Sequence, residues 1–144
     1  MFGNLPLVEA VKIDQVKAAV ATGTTAINSN EVDMEGYDGV LFIASFGSTA
    51  TDISLKAQQD TVTGMGGAAD LEGSSKALDA TAKIIFLDIF RPLERFVRVV
   101  ATRTTTTTIE AIWAIRYKAR NPPVANASSA QLVKQLVSPA EGTA

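Results

Sequence analysis

From Gly39 onward the chain is built of short segments patterned for β-strands, and this limits it to packed sheets. Gly39 to Phe46 reads GVLFIASF, apolar on both faces and bounded by Gly36 and Gly47, which suits a central strand. Thr51 to Gln59 alternates, with Ile53, Leu55 and Ala57 on one face and Asp52, Ser54, Lys56 and Gln58 on the other. Gly47-Ser48-Thr49-Ala50 between them has hairpin-loop composition. Lys83 to Phe90 (KIIFLDIF) is a further strand, ended by Arg91-Pro92 because proline lacks the ladder donor. Arg95 to Thr102 follows, with Val97, Val99 and Ala101 on one face. Ile109 to Tyr117 closes the series. Strict alternation there sets Ile109, Ala111, Trp113, Ile115 and Tyr117 on one face, and predicts Trp113 in the core near Ile85, Leu87, Val97 and Val99.

The ends are patterned differently. Val8 to Val20 fits a helix about as well as a broken strand, and reads as extended or irregular before the turn-rich Thr22 to Asn30. After Tyr117, Asn121-Pro122-Pro123 stops the sheet, and only Gln131 to Val137 (QLVKQLV) keeps apolar spacing. The 144 residues therefore predict one domain. Its sandwich is expected over about 22–120, with arms at about 1–10 and 121–144. The ends Met1 to Leu7 and Ala125 to Ala144, with apolar clusters at Phe2, Leu5 and Leu7 and at Leu132, Val133, Leu136 and Val137, are expected to be dispensable for folding but used in assembly.

Two absences remove much chemistry. With no cysteine and no histidine, disulfides, zinc fingers, thiol nucleophiles and histidine bases are excluded. A net charge of −2 gives no basic surplus for general nucleic-acid binding. The longest apolar run, Val40 to Phe46, is too short to span a bilayer, and Met1 to Pro6 shows no leader pattern, so a soluble protein made in a cytoplasm is expected.

The local motifs are weak. Gly64-Met65-Gly66-Gly67-Ala68-Ala69 superficially fits a dinucleotide fingerprint, but another turn follows it where a helix is required, so it reads as a hairpin loop. Thr104 to Thr108 reads as a polar loop or exposed edge, and the sequon Asn126-Ala127-Ser128 carries no meaning without a secretory signal. Glu31, Asp33 and Glu35 alternate into one acidic strand face, which suits solvent, a hard cation or arginines of a partner. Arg91, Arg95, Arg98 and Arg103 form the one dense basic group, suited either to a carboxylate-bearing partner or to local pairing with Asp88 or Glu94.

Taken in order, GYDGVLFIASFG, TDISLKAQQD, a Gly/Ala/Asp loop with a LEG turn, IIFLDIFRPLERFVRVVATR and IEAIWAIRYKAR resemble the head decoration, or cement, proteins of tailed phages. The resemblance covers roughly residues 37–122. It is most specific in DGVLF and in F-R-P-x-x-R-[FY]-V-R, here Phe90 to Arg98. It implies an all-β, jelly-roll-like antiparallel β-sandwich with extended arms. It also implies a place on the capsid exterior, binding to the major capsid protein and self-association as a homodimer or homotrimer. No catalytic residue, metal or cofactor is expected. On this reading Arg91, Arg95, Arg98 and Arg103, with Glu31, Asp33 and Glu35, are the candidate capsid contacts. Rival readings are a neck or tail component, a carbohydrate-binding sandwich, and a hydrolase using Glu31, Asp33 or Asp88.

Overall fold

The computed structural model describes residues 4–138 and 140–143. The ends of the expected arms, residues 1–3, 139 and 144, lie outside the described residues; the Phe2 of the N-terminal apolar cluster is among them.

A single-turn helix, α1 (Leu7–Ala10), precedes eleven strands: β1 (Lys12–Lys17), β2 (Val20–Gly23), β3 (Ile27–Asn28), β4 (Val32–Asp33), β5 (Gly39–Phe46), β6 (Ile53–Asp60), β7 (Ala69–Asp70), β8 (Lys76–Ala77), β9 (Ile84–Phe90), β10 (Phe96–Arg103) and β11 (Thr107–Tyr117). They form two antiparallel sheets. In the five-stranded sheet β1 and β2 share the same side of β11, followed by β5 and β9. In the six-stranded sheet β3 and β4 flank β10, followed by β6, whose far side carries β7 and β8. Counting β1/β2, β3/β4 and β7/β8 each as one interrupted strand leaves eight positions. Numbered along the chain, they run 1-8-3-6 in one sheet and 2-7-4-5 in the other. That order is two interleaved Greek keys, the jelly roll.

The core fills the space between the sheets. Val40, Phe42, Ala44 and Phe46 of β5 face Ile53, Leu55 and Ala57 of β6 and Val97, Val99 and Ala101 of β10, all buried, those of β6 and β10 as the alternation predicts. Leu41 and Ile43, on the other face of β5, are half-buried. The Gly64 to Ala69 segment is the β6–β7 hairpin loop, with Gly64 and Met65 at positive φ, so no helix follows it to hold a pyrophosphate.

Two expectations are corrected. The sandwich begins at Lys12 rather than near residue 22, because β1 pairs with β11 from Lys12↔Arg116 to Lys17↔Ile112. As an interrupted edge strand β1 fully buries only Val16, so its alternation is faint. The second correction is on β11. Ile109 pairs with Phe46 and Ile112 with Ala44, so Glu110 and Ala111 together oppose Ser45. This β-bulge reverses the side-chain parity for the rest of the strand. Ile112 and Ala114 are buried, and Trp113 faces outward at 38% exposure instead of lying in the core.

Candidate functional site

The outward face of the five-stranded sheet is largely apolar, and among the described residues only the C-terminal arm overlies it, at its Ile13 and Trp113 side. Strand register places Gln15, Trp113, Ile43 and Phe86 in one row across it, and Ile13, Ile115, Leu41 and Asp88 in the next. Ile84 and Phe90 flank these rows on β9 and are exposed. The face arises because β5 and β9 are apolar on both sides while the core uses only one.

Trp113 is the sole tryptophan, which makes the placement easy to test. Trp113→Ala is expected to cost about 1–2 kcal/mol, below the roughly 3–5 kcal/mol of a fully buried tryptophan. Its fluorescence in the native protein should be quenched readily by acrylamide. A loss of 4 kcal/mol or more on substitution, with a quencher-resistant signal, would return Trp113 to the interior.

Two polar pairs interrupt this face, Ser45 with Glu110 and Asp88 with Tyr117. The Tyr117 hydroxyl donates to Asp88 Oδ1 at 2.6 Å, its ring lying over Gly39, where any Cβ would overlap it. Burial, and then the bond to the Asp88 carboxylate, push the Tyr117 phenol from the ordinary 10.0 up to about 12. Between those values the folded state holds a proton that the unfolded chain releases, so Tyr117 should lower stability as pH rises from about 10 to 12. Spectrophotometric titration should show one tyrosine ionising near pH 12, and Asp88→Asn should move it part of the way back. An unshifted titration in Asp88→Asn would show that the carboxylate contributes nothing.

The charged residues expected at a partner surface mostly bind one another. Arg95 donates to Asp33 through Nε at 2.8 Å and Nη2 at 2.7 Å, and Nη2 also lies 2.6 Å from Glu35 Oε2. The Arg95 fork holds the Asp33 carboxyl below its usual range, and the same bond raises Arg95. Glu31 accepts from Thr63 Oγ1 and, at 2.9 Å, from the Gly64 N–H, which ties down the β6–β7 loop. Arg98 Nε donates to Gln58 at 2.9 Å, and Arg91 stacks on the Phe90 ring. Neither Asp88 nor Glu94 pairs with these arginines in the described ion pairs.

Arg103 requires a correction. It is 3% exposed, and its guanidinium donates to the carbonyls of Thr25, Ala21 and Thr107 at 2.7–2.9 Å. It is a clamp inside the fold and offers no side chain to a partner. Beside Arg91 and Arg95, but not Arg98, a groove of about 470 Å³ is lined also by Glu35, Tyr37, Asp38 and Arg120, with the exposed Leu93 among its walls.

The C-terminal arm is more integrated than its pattern implies. Asn126 is buried. Its Nδ2 donates to Val8 O at 2.7 Å and Val11 O at 2.8 Å, and its Oδ1 accepts from Ile13 N at 2.7 Å. Gln131 Nε2 donates to Ile13 O at 3.0 Å. The arm thus pairs the outer edge of β1 with side-chain amides. It forms a groove of about 420 Å³ over Ile13 and Trp113, with Leu132 and Val133 on its rim. Beyond, Leu132, Leu136 and Val137 are exposed. The QLVKQLV spacing marked these apolar residues, whereas nothing in sequence marked Asn126 as an anchor. Among the described residues no three carboxylates converge on a metal position, and no helix is long and apolar enough to cross a membrane.

No protein-family model matches this chain, and the search of curated proteins returned no match.

Proposed function

We propose that this chain is a structural virion protein, a capsid decoration protein that binds the outer surface of the major capsid protein lattice and steadies the phage head. The observation that carries this reading is apolar surface without a covering layer. Trp113, Phe86 and Ile84 on one sheet face, and Leu132, Leu136 and Val137 on the adjoining arm, suit a protein completed by a larger surface. A jelly roll offers a rigid body, and the arm offers reach to a neighbouring subunit. Binding only the assembled lattice would stabilise it by mass action. Synthesis in the host cytoplasm and residence on the capsid exterior belong to the same reading.

The test is to mix purified full-length chain with undecorated heads. Saturable binding and a higher head-disruption temperature are expected, and Leu132→Ser/Leu136→Ser/Val137→Ser should weaken binding at least about tenfold. Arg95→Ala/Arg98→Ala should weaken it less, because Arg95 is already neutralised by Asp33 and Glu35. Wild-type protein that never associates with heads would sink the reading. Hundreds of copies per virion fit a decoration protein, and about a dozen would point to a neck component.

A carbohydrate-binding role gains from one observation: Trp113 and Phe86 lie outward in one row, as a sugar platform needs. Against it, the one carboxylate in the adjoining row, Asp88, is engaged by Tyr117. Glycan-array binding abolished by Trp113→Ala would favour this second reading.

A further inference from the structure

A sheet edge left open attracts other strands, so each edge of this sandwich calls for a physical account. The six-stranded sheet ends on β3/β4 at one side and β7/β8 at the other, all two-residue pieces that offer little ladder. At the β1 side of the five-stranded sheet, the Ile13 N–H and C=O are taken by Asn126 and Gln131, and Val16 O accepts from Asn30 N at 2.8 Å. The fourth edge, β9, differs. It is seven residues of regular strand paired only with β5, and no described backbone group bonds its far side.

The geometry of that edge can be read residue by residue. Lys83 O accepts from Phe46 N, and Arg91 N donates to Asp38 O, so the odd-numbered residues point their backbone groups at β5. Ile84, Phe86, Asp88 and Phe90 therefore direct their N–H and C=O outward. Their side chains lie on the outer sheet face, where Ile84 is 55%, Phe86 68% and Phe90 50% exposed. The usual protections are missing from the strand: it holds no proline, lysine or bulge, and its one charge, Asp88, is bonded to Tyr117.

We propose that the β9 edge docks against the β9 edge of a second copy, antiparallel about a two-fold axis, so that the five-stranded sheet continues across both molecules. Charge excludes two registers. Pairing Leu87 with itself would set Lys83 against Arg91, and pairing Asp88 with itself would oppose two carboxylates. Pairing Phe86 with itself avoids both. It stacks the two most exposed rings of the edge, sets Asp88 opposite Ile84 on the outer face, and brings Ile85 and Leu87 together on the inner face. The exposed parts of Ile84, Phe86 and Phe90 amount to about 350 Å² per copy, taking roughly 200 Å² for each side chain. That is below the roughly 800 Å² per partner of a standard interface, so the dimer is weak, with Kd on the order of 10–100 µM. The pairing rests on this edge alone and holds or fails separately from the decoration reading.

The experiment is sedimentation velocity on the full chain from about 1 µM to 500 µM, with residue-resolved amide exchange at both extremes. A concentration-dependent dimer is expected. Exchange at Phe86 and Asp88 should slow at least about tenfold on concentrating, while Ile85 and Leu87, bonded to β5, stay protected throughout. Phe86→Lys and, separately, Ile84→Lys should give monomers with unchanged circular dichroism; Leu93→Lys should leave the dimer intact. A chain monomeric at 500 µM would overturn the proposal. So would a trimer, which two-fold edge pairing cannot build, or a dimer insensitive to both lysine variants. A monomer whose head binding alone is lost in Phe86→Lys would assign this edge to the capsid instead, and likewise overturn pairing with a second copy.

Discussion

Deletion of Glu110 and Ala111 together is expected to leave no folded protein at 25 °C, whereas deletion of Ala111 alone should be tolerated. Two residues at the bulge oppose the single Ser45, so removing one leaves Ile109 opposite Phe46, Glu110 opposite Ser45 and Ile112 opposite Ala44, with the same side chains inward. Removing both shifts the rest of the strand by one position. Trp113 and Ile115 would then point inward opposite Ala44 and Phe42, while Ile112 and Ala114, both fully buried, would turn to solvent. Exposing Ile112 loses about 1.5–3 kcal/mol, and forcing an indole into the place of Ile112 costs at least a further 1–3 kcal/mol. The alternative, keeping the register beyond the cut, turns the buried Ile109 outward instead. Against a total stability of about 5–15 kcal/mol, either outcome unfolds much of the population. The check is far-UV circular dichroism with one-dimensional NMR of both variants. A double-deletion variant as dispersed and stable as the parent would show that the residue count at the bulge does not decide the face.

Arg103→Ala should cost about 3 kcal/mol and lower the melting temperature by roughly 10 °C. Three carbonyls, from Ala21, Thr25 and Thr107, converge on this one guanidinium, linking the β2–β3 turn to the start of β11. Truncation leaves buried acceptors unpaired, although it also relieves the cost of a buried cation. Arg103→Lys should recover less than half of the loss, because an ammonium cannot match the planar fork. Arg103→Met separates packing from hydrogen bonding: it keeps the apolar stem, so stability equal to wild type would mean that the three bonds contribute nothing net. Thermal melts of all three variants decide it.

The strands of the two sheets were legible because burial on one face imposes a period of two, as in Ile53, Leu55 and Ala57 of β6 and Val97, Val99 and Ala101 of β10. Where that period is weak, the reading faltered. In β1 only Val16 is buried, so nothing in Lys12–Lys17 announced an edge strand. The charged candidates were grouped by their nearness along the chain, but that nearness does not name their partners. Glu31, Asp33 and Glu35 fall on the loop and arginine of their own chain once β4 lies beside β10. Arg103, the fourth of the same group of arginines, ends inside.

What the amino-acid order determined by itself is the all-β sandwich, the inner faces of β6 and β10, and the chain ends standing apart from the regular pattern. These follow from local composition and alternation, which need no knowledge of neighbours. What only the tertiary structure decided is the outward turn of Trp113, the internal role of Arg103, the sealing of β1 by Asn126 and Gln131, and the open edge at β9. Each of these depends on which residue comes to lie opposite which. A one-residue bulge, or a side chain arriving from more than a hundred positions away, changes that without leaving a periodic trace.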